Sequence, residues 1–357
     1  RENDTDTLNT YDLQLIRKNI HHARTSIMPK LPKTLTELHA ALIDFNPKTN
    51  KDESFILIND ETKNIIIFSC AINLKFLIMC DTIYIDGTFK SCPIQFTQLF
   101  TIHGMKNNNY IPLVFCLLLD KASTTYEASF QLIISECQKL NLCFDPKTVF
   151  ADFEMAIHVA VNKVWPSTRL RGCRFHLGQA WFRQIQSLGL VNEYKNKNSE
   201  IGKYLKTFFG LSFLNPPDVN DCFTDDLISI LPQDYRVERF TDYILENYIS
   251  ESSNYPPEMW ASFTYSLART TNSCESFHSK MNAMFYSAHP NIYQFINILL
   301  NIQCETYIKI RSVHIINSRN CIKEKEKEIS HQMQLFQSNT ISRFEYIQCL
   351  SHKFLPI

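Results

Sequence analysis

Two aspartates stand at the ends of apolar runs. Asp86 closes Ile83-Tyr84-Ile85 and leads into Gly87-Thr88-Phe89; Asp152 closes Val149-Phe150-Ala151. A carboxylate at the end of a buried strand is costly unless it is paired or bound to a cation. If the two strands are neighbours, the acids lie side by side, and a divalent cation between them relieves their repulsion. An oxygen-only site of this kind suits Mg²⁺ or Mn²⁺. The plainer reading is that each Asp caps a turn or a helix. Either acid alone favours that reading; the pair favours a site. A second constellation is Cys173-x-x-His176 with Cys274-x-x-x-His278, which together offer two Cys and two His. That is a zinc donor set, but the spacings are only partly zinc-like, and the oxygen site is the stronger reading. For Cys173 and His176 a buried thiol and a satisfied core histidine also stand as an alternative.

Other residues carry weaker signals. Glu154 falls at the start of a helix, where an acid favours the dipole, and reads as structural. Asp120 and Glu127 flank a loop before a helix, where turn or capping roles suffice. Trp165 and Trp181 read as core residues, and Trp260 as the best of the three tryptophans for stacking on a nucleic-acid base. Net charge is zero, with 36 Lys+Arg against 36 Asp+Glu, yet the distribution is uneven. Residues 163–206 carry nine Lys/Arg and two Asp/Glu, a local +7, and residues 215–258 carry two Arg and ten Asp/Glu, a local −8. Two readings stand open: the basic stretch is a phosphate-binding surface, or the two segments neutralise each other. On the first reading Arg169, Arg171, Arg174 and Arg183 are the candidate DNA contacts.

The elements that must position these residues follow from periodicity. Phe55–Ile58 and Ile65–Phe68 read as a hairpin around Asn59-Asp60-Glu61. Thr82–Phe89, Phe96–His103 and Tyr110–Leu119 read as consecutive antiparallel strands rich in β-branched and aromatic residues. The period then changes: Thr125–Leu140 is helical, Thr148–Ala151 a strand, Phe153–Val164 helical, Leu170–Cys173 a strand and Phe175–Leu188 helical. The core is thus β-β-β-α-β-α-β-α, a mixed sheet with helices on its faces. Residues 190–267 are helical and irregular, interrupted by Pro216-Pro217 and Pro256-Pro257. Helical patterning returns at 272–286 and 292–313, and the alternating charges of 323–328 read as a solvated helix face.

Composition excludes several classes. The 7 Gly of 357 residues form neither a dinucleotide fingerprint nor a P-loop. The longest apolar run, Ile111–Leu119, is far short of the ~20 residues of a spanning helix, so no membrane partner is expected. The 12 Cys are scattered without a C-x-x-C pair, as expected of reduced intracellular thiols. A chain that starts with Arg is expected to be a segment of a longer one.

Five motifs, in order, carry a family resemblance: Asp-Gly-Thr-Phe-Lys at 86–90, Ala-Asp-Phe-Glu at 151–154, Trp165-Pro166, Arg-Gly-Cys-Arg-Phe-His at 171–176 and Thr-Asn-Ser-Cys-Glu-Ser-Phe-His at 271–278. The chain resembles Mutator-like element (MULE) transposases over about residues 53–315. Lys30-Leu31-Pro32 with its following polar helix resembles the segment that links such domains to an upstream FLYWCH-type zinc module, which is absent from this chain. The resemblance implies an RNase H-like, retroviral-integrase-like fold with a helical insertion before the last catalytic acid. It implies a DDE triad of Asp86, Asp152 and Glu275 holding two Mg²⁺ or Mn²⁺ ions, with His176 beside them. The second interval, 275 − 152 = 123 residues, is what such an insertion would produce.

The expected organisation is therefore a lead-in over 1–52, a first core part over 53–189, an insertion over 190–267, a last core part over 268–315 and a helical tail over 316–357. The expected function is metal-dependent DNA strand cleavage and strand transfer at transposon ends. A domesticated derivative that binds DNA or protein without cutting is the alternative. Double-stranded DNA (terminal repeats and target) is the expected partner, with a homo-oligomer assembled on it. A nuclear location follows from the substrate alone.

Overall fold

The structure is a computed structural model and describes residues 10–27, 29–107, 109–266, 272–313, 320–352 and 355. Its centre is one seven-stranded sheet. The strands are β1 (Ile56–Asp60), β2 (Ile65–Phe68), β3 (Thr82–Thr88), β4 (Gln98–Lys106), β5 (Asn109–Leu118), β6 (Thr148–Ala151) and β7 (Arg169–Gly172). Their order across the sheet is β1-β2-β5-β4-β3-β6-β7. The pairs from β1 to β3 are antiparallel. The pairs β3–β6 and β6–β7 are parallel. Strands β3, β4 and β5 are consecutive and antiparallel and form a meander. The parallel pairs need crossovers, which helices supply.

The helices before the third segment of sheet are α1 (Thr10–Ile27), α2 (Leu35–Phe45) and α3 (Ala71–Leu77). Those among the parallel strands are α4 (Ser123–Lys139), α5 (Met155–Val164) and α6 (Arg174–Ser187). Sequence periodicity predicts the five strands and three helices of this core within two residues at most of their ends, apart from the end of β4, which runs three residues further to Lys106. The reason is burial. Ile83, Ile85, Phe100 and Ile102 alternate onto the sheet face that packs against Phe130 and Ile133 of α4 and Ile157 and Val161 of α5.

The opposite face is covered from both ends of the chain. Leu38 and Leu42 of α2 join Phe68, Leu99, Phe115 and Leu117 of the sheet in a second core. Met281 of α12 (Asn272–Ala283) and Ile292, Phe295 and Leu299 of α13 (Ile292–Arg311) complete it. Thr34 caps α2 by accepting the Glu37 amide at 3.1 Å, and Asn46 ends it in the left-handed region. Residues 1–52 thus include a helix packed in the core as well as the exposed part of α1.

Between α6 and α12 run α7 (Val191–Lys195), α8 (Glu200–Thr207), α9 (Pro216–Asp221), α10 (Tyr235–Ile244) and α11 (Pro257–Trp260). Tight 3-10 turns at 208–213 and 228–230 and wide π turns at 222–227 and 245–249 join them. None of the sheet's seven strands comes from this segment. Its side chains build a third core around Trp181, Phe208, Phe213 and Phe240, closed by Ile329 of α14 (Asn320–Gln337) and Tyr346, Ile347 and Leu350 of α15 (Arg343–Ser351). The C-terminal helices thus share the core of the helical segment 190–260, where the sequence pattern presents them as a separate tail.

Candidate active site

Register brings the two aspartates level. Strand β3 pairs with β6 through Thr82 with Thr148, Ile83 with Val149 and Tyr84 with Phe150. Each pair is 66 residues apart, which is also the interval between the acids (152 − 86 = 66). Asp86 and Asp152 therefore fall at one level, two residues beyond the last pair, where neighbouring strands lie ~4.8 Å apart. Asp86 is still inside β3, whereas Asp152 is the first residue past β6.

Asp86 is buried, with 5% of its surface exposed. Its Oδ1 accepts the Gly87 amide at 2.9 Å. Its Oδ2 faces His278 Nδ1 of α12 at 3.2 Å. Asp152 is half-buried; its Oδ1 accepts the Glu154 amide at 3.1 Å. Both acids thus make the local turn bonds of the plain capping reading, and each does so with one oxygen. His158 of α5, itself buried, lies with Nε2 2.6 Å from the main-chain oxygen of Asp152 and donates to it. Burial pushes the Asp152 carboxyl above the ordinary range; nearby His176 works against this, Glu154 and Asp86 add to it, and Lys121 opposes it. Two acids are therefore close enough to repel through a partly dry medium.

Around them stands a polar frame. Glu154 accepts Tyr126 Oη at 2.8 Å and Lys121 Nζ at 2.5 Å. Gln98 Nε2 donates to the Tyr126 hydroxyl at 2.7 Å. Glu154 is structural as its position suggests, but through this frame rather than a capping bond of its side chain. Asp120 makes the expected turn bond, accepting the Ala122 amide at 2.9 Å; Glu127 instead pairs with Lys163 at 2.8 Å. Lys121 was not legible as a site residue: a single lysine in a loop gives no pattern, and its place near Asp152 depends on the loop after β5 reaching Glu154 across the end of the sheet.

The remaining candidates separate. His176 lies in the first turn of α6, half-buried and electrostatically close to Asp152. Glu275 lies on α12 one turn before His278; its side chain is outside the described residues, as is Thr271 of its motif. Arg169 and Arg183 are exposed. Arg171 corrects the expectation of a DNA contact. It is 6% exposed, and its guanidinium donates to the carbonyls of Glu258 at 2.8 Å and Ala261 at 3.2 Å, so it fastens the helical segment before α12 to β7. Burial lowers its pKa to about 10. Arg174 is also drawn inward, 4.7 Å over the ring of Phe213. Trp260 is a second correction. It is 2% exposed, packs edge-on against Trp181 at 5.6 Å and donates Nε1–H to the Tyr255 carbonyl at 2.9 Å, so no base can reach its face. Trp165 and Trp181 are core residues as expected. Between the two charged segments the described pair is Arg236 with Glu193 at 2.8 Å, its cation on the acidic segment, while Lys163 and Lys203 pair with Glu127 and Glu200.

The donor set can be tested against a metal. Two hard carboxylates at one level, one of them destabilised by its neighbours, fit a divalent cation. Among the described residues no group of three His, Cys, Asp or Glu is placed to hold an ion. The described part of the site supplies the two aspartates. The four-residue zinc set fits less well: His278 turns Nδ1 to Asp86 and Nε2 to Thr101 Oγ1 at 3.0 Å, leaving neither nitrogen for zinc.

A mixed α/β fold with two acids at adjacent parallel strand ends is the class this geometry defines. Residues 82–180 match the family model of the MULE transposase domain, which supports the MULE family and a transposase-related function directed at DNA. The matched span runs from β3 into α6 and holds Asp86, Asp152 and His176. No curated protein matches the chain. No helix among the described residues is long and apolar enough to cross a membrane.

Proposed function

We propose that the chain is the catalytic domain of a MULE-type DNA transposase that cuts and joins DNA strands with divalent metal. The observation that carries the reading is the shared level of Asp86 and Asp152 on neighbouring parallel strands within the matched span. The strand order β5-β4-β3-β6-β7, antiparallel then parallel, supports an RNase H-like core. Residues 190–267 are then its insertion, and Glu275 on α12 the third acid. Asp86, Asp152 and Glu275 would hold Mg²⁺ or Mn²⁺, which when bound supplies charge neutralisation at the attacking and leaving oxygens of an in-line displacement at phosphorus. Asp86 and Asp152 contribute the oxygens, one on each held by the Gly87 and Glu154 amides. His176 and Lys121 place positive potential beside the pair, where a scissile phosphate must lie. Arg169 and Arg183, both exposed, are the contacts for the DNA backbone. The substrate is double-stranded DNA, terminal repeats and target, with the chain assembled as a homo-oligomer on it in the nucleus.

The test is strand cleavage of DNA carrying the source element's terminal repeats, with Mg²⁺ or Mn²⁺. Asp86→Asn, Asp152→Asn and Glu275→Gln should each abolish cutting and leave DNA affinity nearly intact. Wild-type cutting by Asp152→Asn would overturn the reading in favour of binding alone.

A further inference from the structure

The inference concerns His278 and rests on the acid-site reading above. The residue is 6% exposed and sits on the face of α12 that covers β3 and β4. Its ring bridges two strands. Nδ1 meets Asp86 Oδ2 at 3.2 Å, and Nε2 meets Thr101 Oγ1 at 3.0 Å. Thr101 is the ladder partner of Asp86 on β4, and its hydroxyl also reaches the main-chain oxygen of Asp86 at 3.1 Å. His103 closes the array from behind, with Nε2 2.9 Å from the same hydroxyl and its ring 5.1 Å edge-on from Phe277.

We infer that His278 is a positioning residue that fixes the Asp86 carboxylate for metal and couples the helix of the third acid to the strand of the first. The Gly87 amide holds only one oxygen of Asp86, and a single bond leaves the carboxylate free to rotate. The contact of Nδ1 with Oδ2 at 3.2 Å supplies a second anchor and fixes the plane of the group. Groups that contact a ligand from behind typically set metal affinity by 10–100-fold. The bond to Thr101 then fixes the imidazole itself, so α12 cannot slide along β3 without breaking both contacts. Glu275 is one turn earlier on that helix. A buried polar bridge of this kind is costly unless every partner is met, which favours one position of α12 over its neighbours.

The experiment uses two conservative variants of the full chain. Asparagine places its amide where Nδ1 stands, so His278→Asn keeps a donor to Asp86. Glutamine places its amide where Nε2 stands, so His278→Gln keeps only the link to Thr101. Mn²⁺ affinity is read by calorimetry and by the rise of Tm with Mn²⁺, without DNA, and folding by circular dichroism. Asp86→Asn serves as the control for the site. His278→Asn should bind Mn²⁺ within about threefold of wild type and His278→Gln about tenfold more weakly, both folded. If His278→Gln binds as wild type while Asp86→Asn does not, the positioning role is wrong and the acid site stands. If Asp86→Asn also binds as wild type, the acid-site reading fails and the inference with it. If His278→Asn loses affinity as far as His278→Gln does, the ring serves only to pack α12, and the inference is overturned.

Discussion

Asp152 is held against its own charge. Burial raises its pKa, and Glu154 and Asp86 add repulsion that His176 and Lys121 only partly offset. A carboxyl whose folded pKa lies above its unfolded value contributes most below the unfolded pKa, and the contribution is lost as pH rises through the folded value. At neutral pH the ionised group is therefore a net cost. Asp152→Asn should raise Tm by a few degrees near pH 7 without metal, and the gain should fade towards acid pH. Added Mg²⁺ should stabilise wild type and not the variant, which thermal melts at several pH values would check. Arg171 and Arg183 make a second comparison. Arg171→Ala strands the buried Ala261 carbonyl and the partly buried Glu258 carbonyl and should cost about 1–3 kcal/mol in denaturant unfolding. Arg183→Ala should leave stability within about 0.5 kcal/mol and flatten the salt dependence of DNA binding by about 0.9 of a log–log unit. The aspartates were legible because an acid that closes an apolar run is anomalous in any sequence. Arg171 was not, since its partner Glu258 lies 87 residues away and nothing local marks the meeting.

Elements were legible where a single period governs them. Strands β3, β5 and β6 alternate or run apolar over a buried sheet, and α4 to α6 repeat at helical spacing against it, so local pattern and global packing agree. In the helical segment between α6 and α12 they agree less. Its helices are short, and 3-10 and π turns at 208–213, 222–227 and 245–249 change the rise and phase of the chain, which blurs any helical repeat. Their reason lies in packing. Gly210, in the first of these turns, lies against the backbone of α15: a Cβ there would meet the Ile347 carbonyl oxygen at 2.1 Å. Backbone against backbone cannot yield by a rotamer change. Gly210→Ala should thus destabilise by about 1–3 kcal/mol, a typical cost of overpacking. Hydrogen exchange should show the loss first in α15, whose Ser342–Glu345 capping box otherwise holds its start. Equal protection of α15 in both proteins would contradict the contact.

At the scale of the molecule, the acids lie where the sheet and the helical body meet. The helical body has its own core, yet it reaches the site through three ties: Arg171 to the carbonyls of Glu258 and Ala261, Tyr255 Oη donating to the Phe153 carbonyl at 2.8 Å, and α6, which carries His176 at one end and Trp181 within the third core. Phe153, the residue after Asp152, packs 5.2 Å from Tyr255 and 5.9 Å from Tyr248, so the loop that aims Asp152 rests on the insertion. Trp260 sits behind these contacts, edge-on to Trp181 and bonded to the Tyr255 carbonyl. Its role is therefore mechanical. Trp260→Ala should cost about 3–5 kcal/mol, as large aromatic truncations in cores do. At temperatures where the variant remains folded, DNA affinity should stay within about twofold of wild type, whereas loss of a stacked base would cost about 1–3 kcal/mol of binding. Cleavage should fall further than affinity, because the loosened insertion releases the Asp152 loop. Fluorescence anisotropy on labelled DNA, run beside a cleavage time course below the variant's Tm, separates the two. A drop in affinity equal to the drop in cleavage would return Trp260 to the DNA surface and overturn the account of the insertion as a brace for the acids.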